Sequence, residues 1–408
     1  MSGMFSPRTG WKAARKQIPG LVLADGEKSV KSYCGEFAFT SGGFASMKAW
    51  RFYAFGDMRL DEVPDPDVKP GWAVCKVRRV QPSITDVQRS LGIGTINSAL
   101  LREMLEKHAP VQLLGHEMSA EVVEVGDGVE HLKPGDRVCT SGHVPCLACS
   151  FCREGREMYC VDKLHVGINT PGAFAEYISL PAHGLVRPPQ TLDDSSIACL
   201  QPLSSTVAAM RDAKVQPGET VAITGQGVMG LYALQAARTC GAGAVYVSDV
   251  KDEALALSRK FGADEVIDAR ADDPVERVMG IMEGRGVDLV FECAGGNADQ
   301  GLSGHTTLHQ ATRMVRIGGR VIQIAGLIGD VKFDPVFMRA QGVQWVFPEG
   351  HGADTVALGG KWVASGRIDV NSLITHEEHG IENLPRVMEI TDKKAEYRAT
   401  NPCQLVLA

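Results

Sequence analysis

No stretch of this 408-residue chain approaches the roughly 18 uninterrupted apolar residues that a membrane-crossing helix needs. Residues 1–20 carry Lys12, Arg15 and Lys16 but none of the apolar run that a secretory leader has. Basic clusters are equally scarce. No Lys/Arg run exceeds a pair or so, and Lys+Arg 42 against Asp+Glu 49 leaves a formal charge of −7. A surface for nucleic acid or anionic lipid needs the opposite balance. These absences point to a soluble, cytoplasmic protein with a small-molecule substrate, and to no nucleic-acid or membrane partner. What is present is ordinary for a globular chain: 44% hydrophobic and 22% charged residues. The length exceeds what one simple core organises, so two domains are expected.

Seven of the 11 cysteines, Cys34, Cys75, Cys139, Cys199, Cys240, Cys293 and Cys403, are scattered singly, as reduced core thiols are in a reducing compartment. The other four, Cys146, Cys149, Cys152 and Cys160, follow C-x2-C-x2-C-x7-C in a loop rich in turn-forming and charged residues. Zn²⁺ favours four tetrahedral thiolates, and a short loop wraps round the ion only if successive ligands lie close in sequence. Four thiolates leave no open coordination position, so the expected ion is structural, one per chain. Two disulfides are the alternative reading, disfavoured because nothing else in the chain looks secreted.

The first 46 residues are Gly/Ser/Lys-rich and weakly periodic, an N-terminal extension. From Met47 short strands follow, at 49–53, 72–80 and 118–125, separated by Pro/Gly/Asp turns, and they predict a β module. Apolar residues at 100, 101, 104 and 105 predict a helix inserted over 98–108, with Ser98 as its cap. Beyond about residue 190 strands and helices alternate, the pattern of a parallel sheet. Val221 to Thr224 reads as a buried strand, Gly225-Gln226-Gly227-Val228-Met229-Gly230 follows, and Leu231 to Cys240 reads as a helix. In that strand–turn–helix setting the glycines let backbone N–H groups approach a pyrophosphate at the helix N-terminus. A second strand ends at Asp249, whose carboxylate suits an adenosine ribose and repels a 2′-phosphate, so NAD is expected over NADP. Arg259 and Lys251 lie near enough in sequence to leave NADP open. Further strands at 287–292 and 320–325 bring a six-stranded Rossmann sheet within reach.

The order of these parts resembles the zinc-containing medium-chain dehydrogenase/reductase superfamily, the alcohol and polyol dehydrogenases. The likeness rests on Gly115-His116-Glu117, Lys133 to Val138, the four-cysteine lobe, Gly172 to Tyr177, Pro202-Leu203 and Gly225 to Gly230, and spans about residues 47–408. It implies an α/β chain: a GroES-like catalytic domain over 47–190 carrying the zinc lobe, a Rossmann domain over 191–330, and a return to the catalytic domain over 331–408. It also implies a cleft between the two, and a homodimer or homotetramer. The chain departs from the family where a second, catalytic zinc would sit. Ser83 stands for a ligating cysteine, and Gln201 for the cysteine or carboxylate before Pro202-Leu203, leaving His116 and Glu117. A hydroxyl and a carboxamide are poor Zn²⁺ donors beside thiolate or imidazole. Cys199 lies two residues from the matching position, and Val87-Gln88 replaces a relay histidine.

Without a Lewis acid the alcohol must lose its proton to a general base. His116 is the candidate, with Asp86 orienting it, Thr85 bonding the substrate oxygen, and Ser83, Glu117 and Gln201 completing a polar floor. His108, His131, His143 and His165 read as loop or surface histidines, and the insert at 98–108 reads either as a wall of the substrate pocket or as an oligomer contact. Two functions compete: an NAD-dependent oxidoreductase for a secondary alcohol or ketone, including one that oxidises its substrate transiently without net redox change, and a non-catalytic dinucleotide-binding protein. Retention of Thr85, Asp86, His116 and Glu117 favours the enzyme.

Overall fold

The structure is a computed structural model that describes residues 46–93, 97–295, 304–327 and 331–407. The extension expected over residues 1–46 lies outside these, apart from Ser46, and no described helix is long and apolar enough to cross a membrane.

The β module is built round Trp72–Gln81. Seven strands join its sheet: Glu377–His379, Gln404–Val406, Trp72–Gln81, Glu117–Val125, Arg137–Thr140 and Leu185–Val186 in that order, with Tyr177–Pro181 paired to Trp72–Gln81 off this path. Val77 faces Ala120 and Cys75 faces Val122 across the central antiparallel pair, and all four are buried. The predicted insert is a helix, Ser98–His108, as the apolar spacing required. Its buried face of Leu101, Met104 and Leu105 joins the core of the β module with Leu113, Met118 and Phe174. The cap differs from expectation. Asn97, in the left-handed region at φ 68°, occupies the N-cap without a side-chain capping bond, because its amide reaches His165 instead.

The second sheet is parallel and six-stranded, in the order Glu265–Asp268, Ala244–Asp249, Thr220–Thr224, Val287–Glu292, Val315–Gln323, Gln344–Val346. Numbered along the chain this is 3-2-1-4-5-6, the doubly wound order whose reversal point lies between the first and fourth strands. The helix after the first strand is Val228–Thr239, beginning three residues before the expected Leu231, because the glycine turn itself supplies the first helical turn. The sheet also runs past the expected limit of 330, since its sixth strand is Gln344–Val346. That strand is short and half-exposed, with no apolar period to announce it. The helix Ala353–Ala364 packs on Leu200–Ala213, and the chain regains the β module's sheet only at Glu377–His379 and Gln404–Val406. There Leu405 pairs antiparallel with Val80, which sews the C-terminal segment onto the strand leading to Ser83.

Candidate active site

The nucleotide-type turn gives its three glycines different tasks. Gly225 has φ +83° and donates its N–H to Ser248 O at 2.9 Å, tying the turn to the second strand. A Cβ on Gly230 would lie 1.8 Å from Gly225 O, so only glycine lets the helix start against the turn. Gly227 has nothing within 4 Å of an ideal Cβ, and this open ground lies before the first turn of the helix at Val228 and Met229, which has no side-chain cap. A cradle of that shape fits a dinucleotide pyrophosphate. Asp249 closes the second strand. One carboxylate oxygen accepts the N–H groups of Val250 and Lys251 at 2.7 and 2.8 Å, and the other accepts that of Gln226 in the glycine turn. Arg259 is exposed on the last turn of the Asp252–Lys260 helix, where its charge acts on Asp268, the register partner of Asp249.

The proposed catalytic residues gather at the start of a short helix, Ile84–Ser90. Ser83 is its N-cap: Ser83 Oγ accepts the Asp86 N–H at 3.0 Å, and Asp86 Oδ2 accepts the Ser83 N–H at 3.0 Å. Thr85 Oγ1 lies 2.7 Å from Ser83 Oγ. The capping box fixes Asp86. It thereby places Oδ2 3.5 Å from Nδ1 of His116, which enters from the residue before the Glu117–Val125 strand. Burial opposes the charged imidazole, but the Asp86 and Glu117 carboxylates outweigh it and raise the His116 pKa. The same burial would raise Asp86, but His116, Arg89 and the Ser83 N–H hold it below the usual carboxylate value. Glu117 differs: burial carries it up to about 7 against the pull of His116 and a 2.5 Å hydrogen bond from Gln81. Gln81 in turn accepts from Asn401 and Gln404 of the returning segment at 2.8 and 3.1 Å. Sequence reading singled out none of these three amides.

Gln201 is buried on the Leu200–Ala213 helix and reaches the same place. An ideal Cβ on Gly142 would lie 3.3 Å from His116 Cδ2 and 3.4 Å from Gln201 Nε2, so the imidazole and amide flank one glycine. Neither Ser83 nor Gln201 is disposed as a metal ligand. Ser83 Oγ caps its helix, and Gln201 Nε2 lies 2.9 Å from His351 Nε2. Cys199 points into the amide network, 3.6 Å from Gln81 Oε1, and burial pushes its thiol up to about 12. Among the described residues the one grouping of three or more His, Cys, Asp or Glu close enough to hold a metal is the cysteine lobe. The residues around His116 therefore do not fit a catalytic zinc.

Three histidines stand beside this cluster. His143 and His165 had read as loop histidines, but they are cross-strand partners in a two-stranded hairpin, with rings 5.0 Å apart. His351, which follows the last strand of the parallel sheet, brings its ring 5.3 Å from His143. Its Nδ1 lies 2.7 Å from Ser205 Oγ, and its Nε2 2.9 Å from Ser141 O. Burial, then the neighbouring imidazoles and Lys163, keep His143 well below its ordinary pKa, and burial brings both His165 and His351 down to about 4. His351 carried no signal in sequence, since Gly350-His351-Gly352 matches no ligand spacing. His131 bonds the Ala182 carbonyl, 3.1 Å away, in a loop contact of the expected kind.

The cysteine lobe is assembled as spacing suggested. Its four sulfurs lie within 4.8 Å of one another, with Cys149–Cys152 at 3.5 Å and Cys146–Cys152 at 4.0 Å. A tetrahedron with Zn–S of about 2.3 Å has edges of about 3.8 Å, so the set fits the ion. The N–H groups of Cys146 and Cys149 donate to Cys160 Sγ and Cys146 Sγ at 3.2 and 3.3 Å, the polarity that suits thiolates. No described cysteine is in a disulfide.

Comparison with known proteins bears on these features together. Residues 69–190 match the family model of the alcohol dehydrogenase GroES-like domain, and 228–345 that of the zinc-binding dehydrogenases. Sorbitol dehydrogenase of Bacillus subtilis is 30% identical over 84% of this chain and 93% of its own. L-threonine 3-dehydrogenase of Pyrococcus abyssi is 32% identical over 69% of this chain and 79% of its own. Among solved structures, alcohol dehydrogenase TADH from Thermus sp. ATN1 superposes with a TM-score of 0.75 at 27% identity, covering 89% of this chain and 100% of that one. A zinc-binding dehydrogenase of Sinorhizobium meliloti 1021, bound to NADP, does so with a TM-score of 0.77 at 27% identity over the same shares.

Proposed function

From the chain's membership of the zinc-containing medium-chain dehydrogenase/reductase superfamily, as an alcohol dehydrogenase-like, NAD(P)-dependent oxidoreductase, we propose an NAD-preferring enzyme that interconverts a secondary alcohol and its ketone without a catalytic zinc. The observation that carries this reading is the state of Ser83 and Gln201. Both positions where a metal ligand would be needed hold neutral groups already committed to other hydrogen bonds, beside a buried His116–Asp86 pair.

Bound NAD supplies the hydride acceptor, and the chain's own residues handle the proton. Asp86 lies against Nδ1 of His116, which leaves Nε2 to take the proton of the carbinol. The raised pKa of the imidazole suits that task, because burial opposes the charge while Asp86 and Glu117 favour it. Thr85 Oγ1 hydrogen-bonds the substrate oxygen, and Ser83 Oγ, 2.7 Å away, orients the threonine hydroxyl. His116 takes the carbinol proton, and the hydride would pass to the dinucleotide held at the glycine turn, which would balance oxidation of the alcohol to the ketone. Asp249 receives the adenosine ribose and disfavours a 2′-phosphate.

The test is alcohol oxidation with each dinucleotide, before and after a chelator that removes loosely held metal. NAD-supported turnover that survives chelation is the expected result. Activity lost to the chelator and recovered on adding Zn²⁺ would overturn the zinc-free mechanism.

A further inference from the structure

The cluster of His143, His165 and His351, called here the histidine recess, has no role in the proton transfer just described, yet it adjoins His116 and Gln201 through Ser141 and Gly142. Its polar groups share one character. His143 Nδ1 is buried with no hydrogen-bond partner, an unsatisfied position of the kind a ligand atom or water fills. His165 Nδ1 lies 3.5 Å from the Asn97 amide nitrogen and accepts from it, which leaves Nε2–H as the ring's one donor. Lys163, two residues earlier on the same loop, spends one of its three donors on Met158 O at 2.7 Å. The carboxylates within reach are already committed: Asp86 to His116, Ser83 and Arg89, and Glu117 to Gln81. The three imidazoles are neutral, so each keeps a single N–H, and an incoming anion would accept hydrogen bonds from these donors and from the remaining N–H groups of the Lys163 ammonium.

We propose that this recess binds an anionic group on the substrate, a carboxylate or a phosphate near the carbinol carbon, so that the substrates are hydroxy acids or hydroxy phosphates rather than neutral polyols. The inference rests on His116 being the base that faces the carbinol, since that is what puts the recess beside the reacting carbon. The wall contributed by Asn97 comes from the start of the inserted Ser98–His108 helix, which gives that insert a part in substrate choice.

Two measurements test it. Malonate and inorganic phosphate, neither of which can be oxidised here, are titrated into the protein–NADH complex and followed by nucleotide fluorescence. Saturable binding of either is expected, weakened about tenfold to a hundredfold in His143→Ala and in His351→Asn, the range for a hydrogen bond to a charged group. Malonate alone binding assigns a carboxylate, and phosphate alone assigns a phosphate. Circular dichroism checks that each variant is folded. Absence of binding, or equal binding by both folded variants, overturns the proposal. The second measurement compares kcat/KM for 3-hydroxybutyrate with 1,3-butanediol, and for glycerol 3-phosphate with glycerol. The anionic member of at least one pair is expected to be preferred, and preference for the neutral member in both overturns the proposal. Turnover of neutral alcohols without anion binding sinks this inference and spares the dehydrogenase. No oxidation of any alcohol with either dinucleotide sinks the dehydrogenase, while the titration still reports on the recess by itself.

Discussion

Replacing Asp86 by Asn removes a negative charge 3.5 Å from Nδ1 of His116 while keeping the outline of the side chain. The remaining carbonyl oxygen can still accept the Ser83 N–H, so the Ile84–Ser90 helix keeps its cap and the fold should persist. In the native site burial works against the imidazolium, and Asp86 and Glu117 overcome it. In the variant, burial and Arg89 remain and Glu117 alone opposes them. An opposite charge at this range is worth about 1–3 pKa units, so the His116 pKa should fall by at least about one. Alcohol oxidation needs His116 neutral at the start, so the acid limb of kcat/KM should move to lower pH. The plateau should drop as well, because the imidazole loses the group that orients it. Glu117, carried up to about 7 by burial, also titrates and interacts with His116, so the kinetic profile alone would mix two groups. The imidazole Cε1–H resonance, assigned with His116→Asn, follows His116 separately. Stability gives a second sign. A raised His116 pKa contributes stability that is full below the unfolded value of about 6.5 and is lost as pH rises through the folded value. A depressed Asp86 pKa contributes stability that is full above about 3.9 and is lost as pH falls through the folded value. The wild type should therefore exceed Asp86→Asn in stability most clearly between about pH 4 and 6.5. A His116 midpoint that stays put or moves upward in Asp86→Asn would refute the pairing.

Gly227→Ala should leave the melting temperature unchanged, since its Cβ meets nothing within 4 Å, yet weaken NAD binding because that Cβ enters the pyrophosphate cradle. Gly230→Ala should instead destabilise the fold by about 1–3 kcal/mol, the usual cost of overpacking, because its Cβ would meet Gly225 O; calorimetry on the pair separates the two roles. Elemental analysis should find one zinc per chain, retained in His116→Ala and lost with a fall in melting temperature in Cys149→Ser, as a structural ion contributes folding energy. Asp249→Ala should narrow the preference for NAD over NADP in a fluorescence titration, and an unchanged ratio would shift selectivity to another residue such as Lys251 or Arg259.

Features whose parts adjoin in sequence were legible before any coordinates. The cysteine lobe spans fifteen residues, from Cys146 to Cys160, and the glycine turn six, from Gly225 to Gly230, so spacing alone specified both. The apolar spacing of Leu100, Leu101, Met104 and Leu105 located the Ser98–His108 helix, though not its cap, because a face of it had to be buried. The sixth strand, Gln344–Val346, escaped because an edge strand exposed on one side needs no apolar period. The histidine recess escaped for a different reason. His143 and His165 meet through cross-strand register, and His351 arrives from a loop 186 positions after His165. Nothing local in those segments encodes their meeting. Ser83 and Gln201 fall between the two cases. Their sequence positions showed neutral groups where the family's pattern has metal ligands, but not what those groups bond to. Ser83 Oγ accepts the helix N–H of Asp86, a task for which a hydroxyl is suited and a thiol is not. The neutral amide of Gln201 lies 2.9 Å from His351 Nε2, where a carboxylate would draw a proton onto that imidazole and supply the recess with an anion of its own. Ser83 thus secures Asp86 against His116, and Gln201 leaves His351 beside a neutral amide, so the proposed base and the proposed anion site each depend on one of these two residues.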